Sequence, residues 1–227
     1  MYRDGDTLYV PVTGLDMVTP YISSKDDGKV PLDRLNSGEW QKTKQKVYRS
    51  VREMAKELIE LYAKREKTEG IVFSEDTDWQ RDFELRFPYE ETDDQLRSSD
   101  EIKKDMESRK PMDRLLCGDV GVGKTEVALR AAFKAISDGY QVAFLVPTTI
   151  LALQHYRTIL ERMEAYPIKV TMLSRFASPK EIKAGVAGIR NGSVDIAVGT
   201  HRLLQKDVQF RKLGKVVSLQ WAKYHMV

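Results

Sequence analysis

The sequence predicts an α/β fold, a parallel sheet flanked by helices, on three observations. The first is Gly118-Asp119-Val120-Gly121-Val122-Gly123-Lys124-Thr125, in which Gly118 and Gly123 bracket four residues and Lys and Thr follow at once. The second is its flanks: the apolar run Leu115-Leu116-Cys117 before it, and Ala128, Ala131, Ala132 and Ala135 at helical spacing after it. The third is the stretch from Met112 onward, where short apolar runs alternate with helical patterns. Strand, helix and parallel strand joined by right-handed crossovers produce that alternation.

The glycine-rich stretch has the spacing of a phosphate-binding loop. Glycines let successive backbone N–H groups converge on phosphate oxygens, and the following helix adds the positive end of its dipole. Gly118, Asp119, Gly121, Gly123, Lys124 and Thr125 are therefore the candidate nucleotide-binding residues. Lys124 is expected to reach the β- and γ-phosphates and Thr125 to ligate Mg²⁺. ATP and Mg²⁺ are the cofactors this predicts.

Composition narrows the class. The 227 residues are 41% hydrophobic and 31% charged, with a net charge of +3. That supports a packed core and leaves any basic surface local. The lone Cys117 cannot form an internal disulfide, no apolar run approaches a membrane span, and the N-terminus lacks a signal-peptide core. A reducing, cytoplasmic setting without membrane contact is the expectation. His155, His201 and His225 show no metal-ligand spacing.

Taken in order, residues 7–12, Thr7-Leu8-Tyr9-Val10-Pro11-Val12, read as a short strand after the Asp4-Gly5-Asp6 turn. Leu15, Met17, Val18, Tyr21 and Ile22 have weak helical spacing, and 23–38 reads as exposed loop. Val47, Val51, Met54, Leu58 and Leu61 recur at steps of four and three, which predicts a long helix over 39–68. Lys42, Lys44, Lys46, Arg49 and Arg52 make its first half basic, as either a solvated or a phosphate-contacting face. Phe73, Trp79, Phe83, Leu85 and Phe87 then supply anchors against the following domain. Thr92-Asp93-Asp94-Gln95 is a capping box that opens a helix to about Ser108. Gln95 either closes that cap or turns its amide to an adenine edge, with Phe87 and Tyr89 placed to stack on the base.

Strands are predicted at 113–117, 141–146, 168–173 and 194–198, with helices at 124–137, 150–164 and 179–190. Ser178-Pro179-Lys180-Glu181 is a second capping box. Ligands bind at the carboxyl ends of such strands.

These residues carry a resemblance. Gly118–Thr125 resembles helicase motif I, Val146-Pro147-Thr148-Thr149-Ile150-Leu151-Ala152 motif Ia, and Val198-Gly199-Thr200-His201-Arg202-Leu203-Leu204 motif Ic. Together they are similar to the first RecA-like lobe of superfamily 2 DNA translocases. Ser174-Arg175-Phe176, Met112-Asp113-Arg114-Leu115 and the Leu8–Val12 strand ahead of a long helix point within it to the transcription-repair coupling factor family. The resemblance covers roughly residues 5–214.

It implies four segments. Residues 1–36 correspond to the end of a small β-barrel that binds RNA polymerase β subunit, and residues 37–86 to a relay helix and linker. Residues 87–214 correspond to a partial ATP-binding lobe, and residues 215–227 form an aberrant tail. It also implies ATP-driven movement on double-stranded DNA and recruitment of excision-repair proteins. Thr148, Thr149, Gln154, Arg175, Thr200, His201 and Arg202 become the candidate contacts to the DNA backbone, where hydroxyls and cations hold phosphate without reading sequence. A plain N-cap for Thr148-Thr149 and a surface ion pair for Arg175 are the structural alternatives.

The sequence then departs from the family. An apolar strand ending in Asp-Glu-Glu-His or Asp-Glu-Glu-Gln should follow Leu213-Gly214, but no Asp or Glu occurs after Asp207. Those acids would hold Mg²⁺ and activate the attacking water. The departure predicts a truncated or frame-shifted reading frame, nucleotide binding with negligible hydrolysis, a strand at 215–219 that still pairs, and poor order over Trp221–Val227. A binding module acting on DNA or polymerase without catalysis is the alternative, as is a RecG-like fragment. A small-molecule kinase is disfavoured by the motif Ia and Ic spacing.

Overall fold

The computed structural model describes residue 5, residues 7–18 and residues 38–219, which fall into two compact units, Met1–Lys64 and Arg65–Val227. In the first unit residues 7–11 have no regular structure and Val12–Met17 forms a 3-10 turn. The strand expected at 7–12 is therefore corrected. Leu8, Tyr9 and Val12 are exposed and no described segment pairs with them, and one strand without a ladder partner does not persist. The loop expected at 23–38 lies almost wholly outside the described residues, as do Tyr21, Ile22 and Trp221–Val227. Helix α1, Glu39–Glu66, matches the expected long helix, and its apolar stripe is exposed.

The second unit is built around helix α4, Lys124–Ser137. A short helix α2 (Asp78–Leu85) and helix α3 (Asp93–Met106) precede it. Strands β1 (Gln141–Leu145), β2 (Val170–Leu173), β3 (Ile196–Gly199) and β4 (Leu213–Ser218) form one all-parallel sheet in the order β2-β3-β1-β4. Helices α5 (Thr149–Met163) and α6 (Pro179–Asn191) are the crossovers. The expected strand over 215–219 is present as β4, and Leu219 N–H continues its pairing by donating to the Leu145 carbonyl at 2.8 Å.

Both capping boxes form: Thr92 accepts from Gln95 N–H and Ser178 from Glu181 N–H, with the reciprocal side-chain bonds present. Gly192 ends α6 at φ 81°, the left-handed geometry of a C-terminal glycine. Val142, Phe144, Ile196 and Val198 fill the sheet's centre against Val127, Ala131, Ala132 and Ala135 of α4. A second cluster, Leu173, Ile189, Ala197 and Leu203, lies under α6.

The strand expected at 113–117 is not formed. Leu115 is 87% exposed and Cys117 is exposed, so only Leu116 and Met112 pack on the core. Side chains hold the segment instead of a ladder. Arg114 binds Glu101 and Asp105 of α3, and Arg65 binds Asp113 and the Met112 carbonyl.

Candidate functional site: the glycine loop and the carboxyl edge of the sheet

Residues 118–123 lead directly into α4, whose N-cap Gly123 has φ 76° and makes no side-chain cap. The first N–H groups of α4 thus lack a side-chain acceptor at the cap, which is the arrangement that favours an anion. Gly121 also lies at positive φ, 86°, with nothing within 4 Å of where a Cβ would stand. The Lys124 ammonium turns back on the loop and donates to the carbonyls of Gly118 (2.7 Å) and Asp119 (2.5 Å). Thr125 stands half-buried in the first turn of α4. The loop therefore has a cation, open backbone and a hydroxyl at one helix terminus, a set that fits a nucleotide phosphate and its Mg²⁺.

Gln95 joins α3 to this loop. Its Oε1 accepts from Thr92 N–H at 3.0 Å, closing the cap, while its Nε2 donates to the Val122 carbonyl at 3.0 Å. Both ends of the amide are engaged. Phe87 and Tyr89 meet edge to face, 5.5 Å between centroids, with Tyr89 largely in solvent. The guanidinium groups of Arg130 and Arg162 lie 5.4 and 5.7 Å from the Phe87 centroid, one aromatic face thereby engaged by cations.

Sequence patterning missed what fixes α4. Glu126, Arg130 and Lys134, spaced four apart along α4, drew no notice in the sequence, and all three are buried. Segment 70–91 crosses this stripe. Glu126 accepts from Arg130 and Arg162, and Arg130 also pairs with Glu91. Lys134 binds Asp76 and Glu107, and Lys103 binds Asp76 and Glu84. Burial opposes ionisation of Asp76, but hydrogen bonds from Lys103 and Lys134 hold its carboxyl below the usual range. Burial likewise opposes charge on Arg130 and Lys134, and their carboxylate partners overcome it, keeping both cations protonated. Phe83 stacks on Phe133 at 4.4 Å, and Arg162 donates to the Phe83 carbonyl, completing the belt. Of the expected anchors, Phe73 and Phe83 are buried, whereas Trp79 and Leu85 are exposed.

The second group of candidates follows the carboxyl ends of three adjacent strands. Thr148 and Thr149 follow β1, Arg175 follows β2, and Thr200, His201 and Arg202 follow β3. Because the strands are parallel and adjacent, their following loops leave the same edge. Thr148 accepts from Leu151 N–H at 3.3 Å as the cap of α5. Gln154 is exposed on α5. Arg175 is exposed beside the Phe176 ring, 5.9 Å away, and no carboxylate pairs with it among the described residues. Arg202 makes a two-pronged pair with Asp207, at 2.7 and 2.6 Å, so its charge is already met. Among the described residues no group of three metal-ligating side chains gathers, and no helix is long and apolar enough to cross a membrane.

Known proteins agree with this architecture. The DEAD/DEAH box helicase family matches residues 92–221. A transcription-repair-coupling factor of Bacillus subtilis (strain 168) is 58% identical over 217 residues, and one of Staphylococcus aureus (strain USA300) is 57% identical over the same length. Those alignments take in 95% of this chain but 18% of each relative, so the chain spans about a fifth of their length. A solved structure of RecG bound to a three-way DNA junction superposes with a TM-score of 0.67 and 40% identity, covering 74% of this chain and 23% of that one. The family match takes in more than half of the residues, and the chain belongs to the DEAD/DEAH box helicase family.

Proposed function

We propose that this chain is the ATP-binding part of a cytoplasmic double-stranded-DNA translocase that couples transcription to repair, and that by itself it binds nucleotide but hydrolyses little. The observation that carries the reading is the loop at the head of α4, with Lys124 held on its own loop carbonyls and Gln95 bridging to Val122. Incoming phosphate oxygens would draw Lys124 off Gly118 and Asp119. Gly118, Asp119, Gly121 and Gly123 would surround the phosphates with backbone N–H groups, and Thr125 would offer its hydroxyl to Mg²⁺. The bound metal would neutralise charge on the β- and γ-phosphates. Phe87, Tyr89 and Gln95 are the proposed contacts to the base, and Gln95 would have to leave Val122 or Thr92 to reach it.

Weak turnover follows from the side chains available. No carboxylate occurs after Asp207, so residues 208–227 offer none to hold the metal or orient water. General-base assistance is worth on the order of 10²–10⁴ in rate. Thr148, Thr149, Arg175, Thr200, His201 and Arg202, which follow one sheet edge, and Gln154 on α5 are the proposed backbone contacts to DNA, supported by that shared edge and by a relative solved on a DNA junction. RNA polymerase β subunit and excision-repair proteins are the further proposed partners, in keeping with the coupling factors the chain resembles.

The test is titration of a fluorescent ATP analogue into the chain and into Lys124→Ala, with ATPase assays on saturating double-stranded DNA. Binding lost in the variant, with turnover near background in both, is the expected outcome. Equal binding by the two proteins would overturn the nucleotide site. Turnover at a normal motor rate would overturn the inactivity. DNA affinity that persists without any nucleotide binding favours the non-catalytic module.

A further inference from the structure

The apolar stripe of α1 is long, regular and exposed among the described residues. Trp40, Val47, Val51, Met54, Leu58 and Leu61 are each between 38% and 63% exposed. Their steps of seven, four, three, four and three are those of a heptad seam, with Lys44 at the remaining core position. The 28-residue helix is ample for three heptads, and Tyr48 and Tyr62, both exposed, flank the seam.

Charge along the helix is asymmetric. Residues 39–52 hold five basic side chains, Lys42, Lys44, Lys46, Arg49 and Arg52, against Glu39 alone. Residues 53–66 hold four acids, Glu53, Glu57, Glu60 and Glu66, against three bases. Two such helices laid parallel would set basic half on basic half, and Lys44 on Lys44, in a water-poor seam. Laid antiparallel, each basic half meets the more acidic half of the other. Val51 then faces Met54 of the second copy, Val47 faces Leu58, and Lys44 packs its stem on Leu61 with its ammonium beside Glu57. Like charges at the core cost stability and opposite charges at its margin select orientation.

We propose that α1 docks on α1 of a second copy of this chain as an antiparallel two-helix coil centred between Val51 and Met54. This interaction is independent of the nucleotide reading.

Sedimentation equilibrium of the full chain tests it, alongside Val51→Glu/Met54→Glu, which changes only exposed side chains and sets carboxylate against carboxylate in the antiparallel register. A concentration-dependent monomer–dimer equilibrium is expected, weakened at least about a hundredfold in the double variant because four carboxylates, two from each copy, then face one another at the seam centre. Unchanged helix content by circular dichroism separates loss of pairing from loss of α1. Orientation is read by disulfide formation in a Cys117→Ser background. Val47→Cys mixed with Leu58→Cys should cross-link faster than either alone. A monomer at all concentrations, a dimer indifferent to the double variant, or preferential Val47→Cys self-linkage overturns the proposal.

Discussion

The side-chain amide of Gln95 donates to the backbone carbonyl of Val122 at 3.0 Å, so the residue that closes the cap of α3 also holds the glycine loop ahead of α4. The contact leaves little room. A Cβ on Gly123, itself at φ 76°, would collide with that same amide nitrogen. Loop geometry and the start of α3 are therefore coupled through one side chain.

Gln95→Glu separates the two jobs. A carboxylate can still accept from Thr92 N–H but cannot donate to Val122, and it faces a carbonyl oxygen instead. Stability in urea should change by less than about 1 kcal/mol, while affinity for an ATP analogue falls roughly tenfold, the scale of one lost hydrogen bond to a positioned group. Calorimetric titration with parallel denaturation checks both. A variant that loses stability and keeps affinity would contradict the coupling.

Glu126→Ala should be severe. Glu126 is 7% exposed and neutralises both Arg130 and Arg162, which remain inside the protein when it is removed. Breaking a buried pair from one side costs about 3–5 kcal/mol. Adding Arg162→Met should recover part of that loss, because Glu126 is the carboxylate that Arg162 binds whereas Arg130 keeps Glu91, so the stranded guanidinium leaves with the second change. Chemical denaturation of the single and double variants measures the recovery, and strict additivity would rule out the network.

Lys215 supplies a pH signature. Burial in β4 pushes its ammonium down to about 8, only partly offset by the charge of Asp105. Between about 8 and the ordinary lysine value of 10.5 the unfolded chain holds a proton that the folded chain has lost. Stability therefore rises with pH across that window and is lowest below it, where the buried ammonium stays charged. Lys215→Met should be more stable than the parent at pH 7, with the gap closing as pH climbs past 8. Thermal melts of the two proteins from pH 7 to 10.5 follow the difference, and a constant gap would remove the explanation.

Gly199→Ala tests the sheet edge. A Cβ there would stand 2.7 Å from the Leu173 carbonyl oxygen, so β2 and β3 must part where the Arg175 and Thr200 loops begin. Affinity for double-stranded DNA should fall severalfold while ATP-analogue binding, which depends on α4 and α3, is retained. Fluorescence anisotropy with labelled duplex provides the readout. Equal loss of both activities would mean general unfolding rather than a displaced edge.

Much of this was legible because it is local. The Gly118–Thr125 spacing, the Thr92–Gln95 and Ser178–Glu181 boxes, and the alternation of apolar runs with helices each depend on residues a few positions apart. Sequence alone therefore settled, to within a residue, where α3 to α6 begin, that the sheet is parallel, and that a strand lies near 215–219, observed as Leu213–Ser218. Three things were decided only by tertiary structure. Asp113–Cys117 reads as a strand, but a strand exists only when a neighbour supplies its ladder, and here side-chain ion pairs hold that segment instead. The buried charges Glu126, Arg130 and Lys134 had no signal in the sequence, because helical periodicity cannot see that Asp76 and Glu91, far upstream, fold across them. Gln95 could be placed in its cap from spacing, whereas its grip on Val122, 27 residues on, required the chain to bring two helix starts together.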